Sequence, residues 1–310
     1  MVEKVFDFQI LNIFYSFPLF LFISQIFQFF RRLSIFNNKM LITQLADLTF
    51  FLILFSGLYL SKNYFVLSLN IIFLIFVISN FVGIIIFSSQ LKKLKFKSFY
   101  VINIFHNNYK IGKWLLLTAI TQWFSGNLWI INSGVILGPY YLGIIRACQT
   151  ILGVVNPLFQ SFENIFPKEI SKILTTGGKK LMHNYIINKM IISFIALSII
   201  CFPFMFFSEE LLKFFYDVEI SNYSYLLIFL FVIVPFRSMQ YFPEYGLRSM
   251  LNTSPIFISY LLSTLPAVIL SKVIISKYQI DGFIAGYYIS ALISLFTVFF
   301  GYKYFFNNKK

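Results

Sequence analysis

Apolar runs of about 20 residues, the length that crosses a bilayer as a helix, recur along this chain between short polar or basic breaks. The pattern predicts nine membrane-spanning helices, over 8–30, 40–60, 64–87, 114–136, 140–166, 185–207, 223–247, 255–275 and 282–306. The runs are continuous rather than alternating in segments of about ten, which excludes a membrane β-barrel. The expected fold class is an all-α polytopic membrane protein.

Three of these spans are not uniformly apolar. In the fifth, Arg146, Gln149, Gly153, Asn156, Gln160 and Glu163 follow one another at intervals of 3, 4, 3, 4 and 3, so all six share one helical face. The seventh carries Arg237, Gln240, Glu244 and Arg248 at intervals of 3, 4 and 4. The fourth carries Thr118, Gln122, Ser125, Trp129 and Asn132. A charged side chain near the bilayer centre costs about 2.5–3.5 kcal/mol on insertion scales. Such faces are tolerated where they meet a water-filled cavity or one another. The competing explanation is hydrogen bonding between packed spans, and for the Asn and Thr members the two readings stand level. Glu163, Arg248 and Asp47 lie near enough to span ends to reach the interface. Pro18, Pro157 and Pro235 interrupt spans that carry polar residues, either as static kinks or as points of bending.

Composition supports the membrane assignment: 59% of the 310 residues are hydrophobic and 12% charged. The 43 phenylalanines are read as a base-composition bias that also enriches Ile, Asn and Lys, rather than as a sugar-binding track. Cys148 and Cys201 fall inside spans and form no disulfide or metal spacing; His106 and His183 fall in loops. The net charge of +14 is unevenly distributed. Seventeen basic residues lie on one set of alternate loops, including Arg31, Arg32, the lysines of 88–112 and Arg248, against five on the other: Lys4, Lys62, Lys213, Lys272 and Lys277. The richer side is expected to be cytoplasmic, the C-terminus with it. The charge is thus topology, and no nucleic-acid partner is expected.

Nine spans with the C-terminus inside put the N-terminus outside, an odd count that leads us to expect further spans upstream. A weak repeat points the same way. At an offset of 217, Pro18 meets Pro235 and Arg31 meets Arg248, as in transporters built from related halves. Spans one to three would then match seven to nine, and the partners of four to six would precede residue 1. The expected organisation is 1–87 as a partial N-terminal lobe of three spans, 88–112 as a basic linker, and 113–310 as a six-span C-terminal lobe.

The stretch "KWLLLTAITQWFSGNLWIINSGVILGPYYLGIIRACQTILGVVNPLFQSFENIFPKEIS", Lys113 to Ser171, resembles the helix pair that opens the second lobe of the multidrug/oligosaccharidyl-lipid/polysaccharide exporter superfamily. It most resembles the polysaccharide-exporter branch, the O-antigen flippases of the Wzx type. The marks are a short outer turn, "LGPYYLG", and an exit proline, Pro167, before a basic loop. The resemblance covers the second lobe well and the first 87 residues loosely. Family members have twelve to fourteen spans in two six-helix lobes around a central cavity; this chain shows nine. The resemblance implies a bacterial inner-membrane transporter, not an enzyme, that flips a polyprenyl-pyrophosphate-linked oligosaccharide to the outer leaflet. It implies no cofactor or metal, and it allows other polysaccharide-assembly proteins as partners. Arg146 and Arg237 would bind the pyrophosphate, since arginine offers a planar donor fork. Gln149, Asn156, Gln160, Gln240, Gln122, Trp129 and Asn132 would meet the glycan. Glu163, Glu244 and Asp47 are candidates for ion coupling. The alternatives are an ion-coupled multidrug exporter of the same superfamily, a membrane enzyme such as a polymerase or acyltransferase, and a non-functional remnant of such a flippase. An acyltransferase would want a histidine at a span face and a polymerase a large outer loop; neither is seen.

Overall fold

A computed structural model describes residues 2–37, 39–64, 68–88 and 101–308, with side chains for 16–37, 39–63, 68–87, 109 and 112–307. Residues 89–100 of the expected basic linker lie outside the described residues, as do Lys309 and Lys310. The described chain is helical, with no strand. It forms α1 (Val2–Phe36), α2 (Met40–Tyr64), α3 (Leu69–Ser88), α4 (Val101–Leu137), α5 (Pro139–Leu152), α6 (Asn156–Phe206), α7 (Ser208–Phe215), α8 (Val218–Ser221), α9 (Ser224–Ser249), α10 (Ser254–Ile269) and α11 (Ser271–Asn308). Two compact units result, Met1–Phe99 and Tyr100–Lys310.

Six helical stretches among the described residues are long and apolar enough to cross a membrane: Ser16–Phe36, Met40–Asn63, Leu69–Phe87, Pro139–Phe206, Ser224–Ser249 and Ser271–Asn307. Their outward faces carry large apolar side chains such as Phe22, Phe55, Ile199 and Phe300. A water-facing surface does not hold so continuous an apolar cover; a bilayer requires it. The protein is an all-α, membrane-embedded protein.

In the N-terminal unit α3 packs against both α1 and α2. Phe27, Ala46 and Phe87 form the buried centre. Near it, the Arg31 Nε donates to both oxygens of Asp47 at 3.1 Å. Ser16 donates to the Asn70 side chain at 2.7 Å.

The C-terminal unit contains two chain reversals hidden inside long helices. In α6, Gly178 adopts φ 75° and ψ −178°, a left-side conformation that glycine enters without a Cβ penalty. The Tyr185 hydroxyl donates to Glu169, 16 residues earlier. Along one unbroken helix those residues would stand about 24 Å apart, so the chain doubles back at Gly178. In α11, Gln279 (φ 51°) marks the second reversal. A Cβ on Gly282 would lie 2.5 Å from the Ile274 carbonyl oxygen, whereas eight residues of straight helix span about 12 Å. The turn between α4 and α5 is local chemistry. Gly138 takes φ 95° and Pro139 opens the next helix, where its missing N–H has no helical partner to lose.

The interior of this unit is layered. One apolar storey is built on Trp129, Ile144, Ile145, Phe231 and Phe283. A second is built on Ile170, Met182, Phe242, Tyr245 and Tyr302. Between them, α6, α9, α10 and α11 contribute buried polar residues: Ser193, Ser238, Gln240, Ser263, Ser290 and Ser294. Helices joined in lipid gain little from apolar contact alone, so hydrogen bonds and close packing hold them. Trp129 lies so close to α11 that a Cβ at Gly286 would be 2.1 Å from the indole ring.

Candidate functional site

The polar storey is organised by α9. Its residues 237, 240 and 244 face α10 and α11, because spacings of 3 and 4 stack side chains on one helical face. Glu244 is almost fully buried, at 1% exposure. Its Oε1 accepts from the Gln240 Nε2 at 2.9 Å and from the Tyr260 hydroxyl at 3.0 Å. Its Oε2 faces the Arg248 Nη2 at 3.7 Å. Gln240 in turn accepts at Oε1 from Ser294 at 2.9 Å. Arg248 also stands 3.7 Å from Glu163 on α6, so one guanidinium lies between two carboxylates from two helices.

Arg237 differs. Its guanidinium lies 4.8 Å over the Tyr287 ring, a cation–π contact, and it makes no ion pair among the described residues. It opens on a recess of about 60 Å³. Gln122 and Ser125 come to that recess from α4, Gln240 and Tyr241 from α9, and Tyr260 from α10; Tyr287, Ser290 and Ser294 come from α11.

The other candidates fall elsewhere. Arg146, Asn156 and Gln160 are exposed on the outward face of α5 and α6, and Gln149 is half-buried beside them. The Arg146 Nη1 donates to the Gln149 Oε1 at 3.0 Å. Glu163 continues this face toward Arg248. Trp129 and Asn132 are engaged inside the bundle. The indole N–H donates to Ser290 at 2.9 Å, and the Asn132 amide donates to Ser271 at 2.7 Å and to the Ala267 carbonyl at 3.3 Å. Asp47 is held by Arg31 in the N-terminal unit.

The residues that complete the recess, Tyr260, Tyr287, Ser290 and Ser294, were not among the sequence candidates. A signal existed: Tyr287, Ser290 and Ser294 are spaced 3 and 4 in a mostly apolar stretch of α11. No cluster of metal-ligating residues occurs among the described residues. Comparison with protein-family models, curated proteins and solved structures gives no match.

Proposed function

We propose that the chain is a flippase of the polysaccharide-exporter branch of the multidrug/oligosaccharidyl-lipid/polysaccharide superfamily. It moves a polyprenyl-pyrophosphate-linked oligosaccharide across a bacterial inner membrane. The observation that carries this reading is the exposed polar face of α5 and α6, with Arg146, Asn156 and Gln160 turned out of the C-terminal unit. Arg146 lies seven residues, about 10 Å, into the helix that opens at Pro139, and an arginine in lipid is costly, up to about 2.5–3.5 kcal/mol at the centre of a span. A face that keeps it there is a face toward water and an anionic, hydroxyl-rich solute. The guanidinium suits a pyrophosphate, and the amides suit glycan hydroxyls.

On this reading the membrane is crossed nine times: by α1, α2, α3, α4, 139–177, 179–206, α9, 254–278 and 280–308. The basic-loop imbalance of 17 against 5 then puts the C-terminus in the cytoplasm. Glu163 and Glu244, joined by Arg248, are the carboxylates available for ion coupling. A recess of about 60 Å³ is too small for an oligosaccharide, so glycan contact falls to the α5–α6 face.

The test is surface glycan made by cells that lack their own flippase, at matched protein levels. Activity should fall in the order Arg146, Arg146→Lys, Arg146→Gln, because lysine keeps charge and loses the bidentate fork. Full activity of Arg146→Gln would remove the face from the substrate path.

A further inference from the structure

We propose that the recess beside Arg237 is a binding site for a small monovalent inorganic anion of the size of chloride or bromide. The site lies wholly in the C-terminal unit and stands independently of the flippase assignment. Four observations converge on it.

Arg237 is a cation inside a membrane bundle with no carboxylate in ion-pair reach among the described residues. Its recorded contact is the face of Tyr287 at 4.8 Å. A ring face satisfies the charge in part and takes up none of the five N–H donors, which lie in the guanidinium plane.

The recess wall supplies further uncommitted donors. Ser290 accepts from the Trp129 indole N–H at 2.9 Å, which leaves its own proton free to donate. Gln122 and Tyr241 line the recess and make no hydrogen bond to another described residue.

The acceptors that α9 brings to this level are already engaged. Gln240 Oε1 receives Ser294, and Glu244 Oε1 receives Gln240 and Tyr260. Glu244 Oε2 faces Arg248, and no carboxylate lines the recess. What remains at the recess is one positive charge, a set of donors and the neutral Gln122 amide, in a low-dielectric setting that strengthens the attraction of that charge for an anion.

Charge sets the class within the room available. A water needs roughly 10–15 Å³ of such volume, so about 60 Å³ is room for about four to six waters, or for a monatomic anion with a few waters. A single guanidinium does not balance a divalent oxyanion or a diphosphate, so a monovalent anion matches the charge.

The experiment uses the full chain in detergent, at constant pH and ionic strength, with chloride or bromide replacing gluconate. The unfolding temperature should rise saturably with either halide, because a ligand bound only by the folded state stabilises it by mass action. Sulfate at equal ionic strength should give no saturable rise. Arg237→Gln should weaken the halide midpoint about tenfold or more, and Arg237→Lys should weaken it less. If Arg237→Gln does not fold, Ser290→Ala serves instead: it removes one donor and should weaken the midpoint severalfold. An unchanged halide response in the variant that folds, an equal response to sulfate, or no halide response in the unmodified chain would each overturn the site. None of these readouts involves glycan export, so failure of the flippase reading and failure of this one are separable.

Discussion

The α5–α6 face and the α9 face carry the same kind of residue at the same spacing, yet they end in opposite surroundings. On α9, Gln240 and Glu244 are buried at 5% and 1% exposure, and their side chains hydrogen-bond to one another and to α10 and α11. On α5 and α6, Arg146, Asn156 and Gln160 are exposed. Periodicity assigns residues to a face; it does not say which neighbour that face meets. The inner face is a set of fixed partners that specifies how four helices meet. On the outer face Arg146 donates to its neighbour Gln149, while Asn156 and Gln160 stand exposed. Arg237 is the exception on the inner face, a cation with donors left over.

The comparison breaks most directly on stability. Glu244→Ala should cost about 3–5 kcal/mol, because it leaves Gln240, Tyr260 and Arg248 without their buried partner. Asn156→Ala on the outer face should change stability by no more than about 0.5 kcal/mol. Denaturant unfolding in micelles measures both, and a large loss at Asn156 would mean that the outer face is packed after all. A smaller effect sharpens the layered core. Gly286→Ala would push a methyl group into the Trp129 ring and should cost about 1–3 kcal/mol. A neutral result would show that α4 and α11 can separate at that level.

The smallest effect belongs to the link after α6. Lys213 donates to Glu209 at 2.5 Å, and this bond is the main cause that raises the lysine above its ordinary 10.5. A raised lysine stabilises the fold below its unfolded value, and the contribution fades as pH climbs through the raised value. The pair is solvent-exposed, and such pairs contribute little. Lys213→Ala should therefore leave the unfolding midpoint nearly unchanged at neutral pH. Any difference from the unmodified chain should vanish above the lysine's titration.

The sequence by itself determined that this protein is helical and embeds in a membrane, because run length and apolarity are set residue by residue. It also determined which residues share a helical face, since spacing of 3 and 4 is a property of one helix. The short turn between 136 and 140 was legible as a break between two apolar runs. The breaks at Gly178 and Gln279 fall in two expected loops, 167–184 and 276–281, but only the tertiary contacts show that helix continues almost to each reversal. Tertiary structure alone separated the two polar faces. It enclosed Trp129 and Asn132 in helix contacts, joined Asp47 to Arg31, and set Arg248 between Glu163 and Glu244. It also recruited Tyr260, a hydroxyl that looks unremarkable on its own helix, and gave Tyr287, Ser290 and Ser294, whose shared face the spacing shows, their place beside Arg237. The physical reason is that a hydrogen bond between helices, or the lack of one beside Arg237, depends on the distance between groups far apart in the chain, and no local pattern encodes that distance.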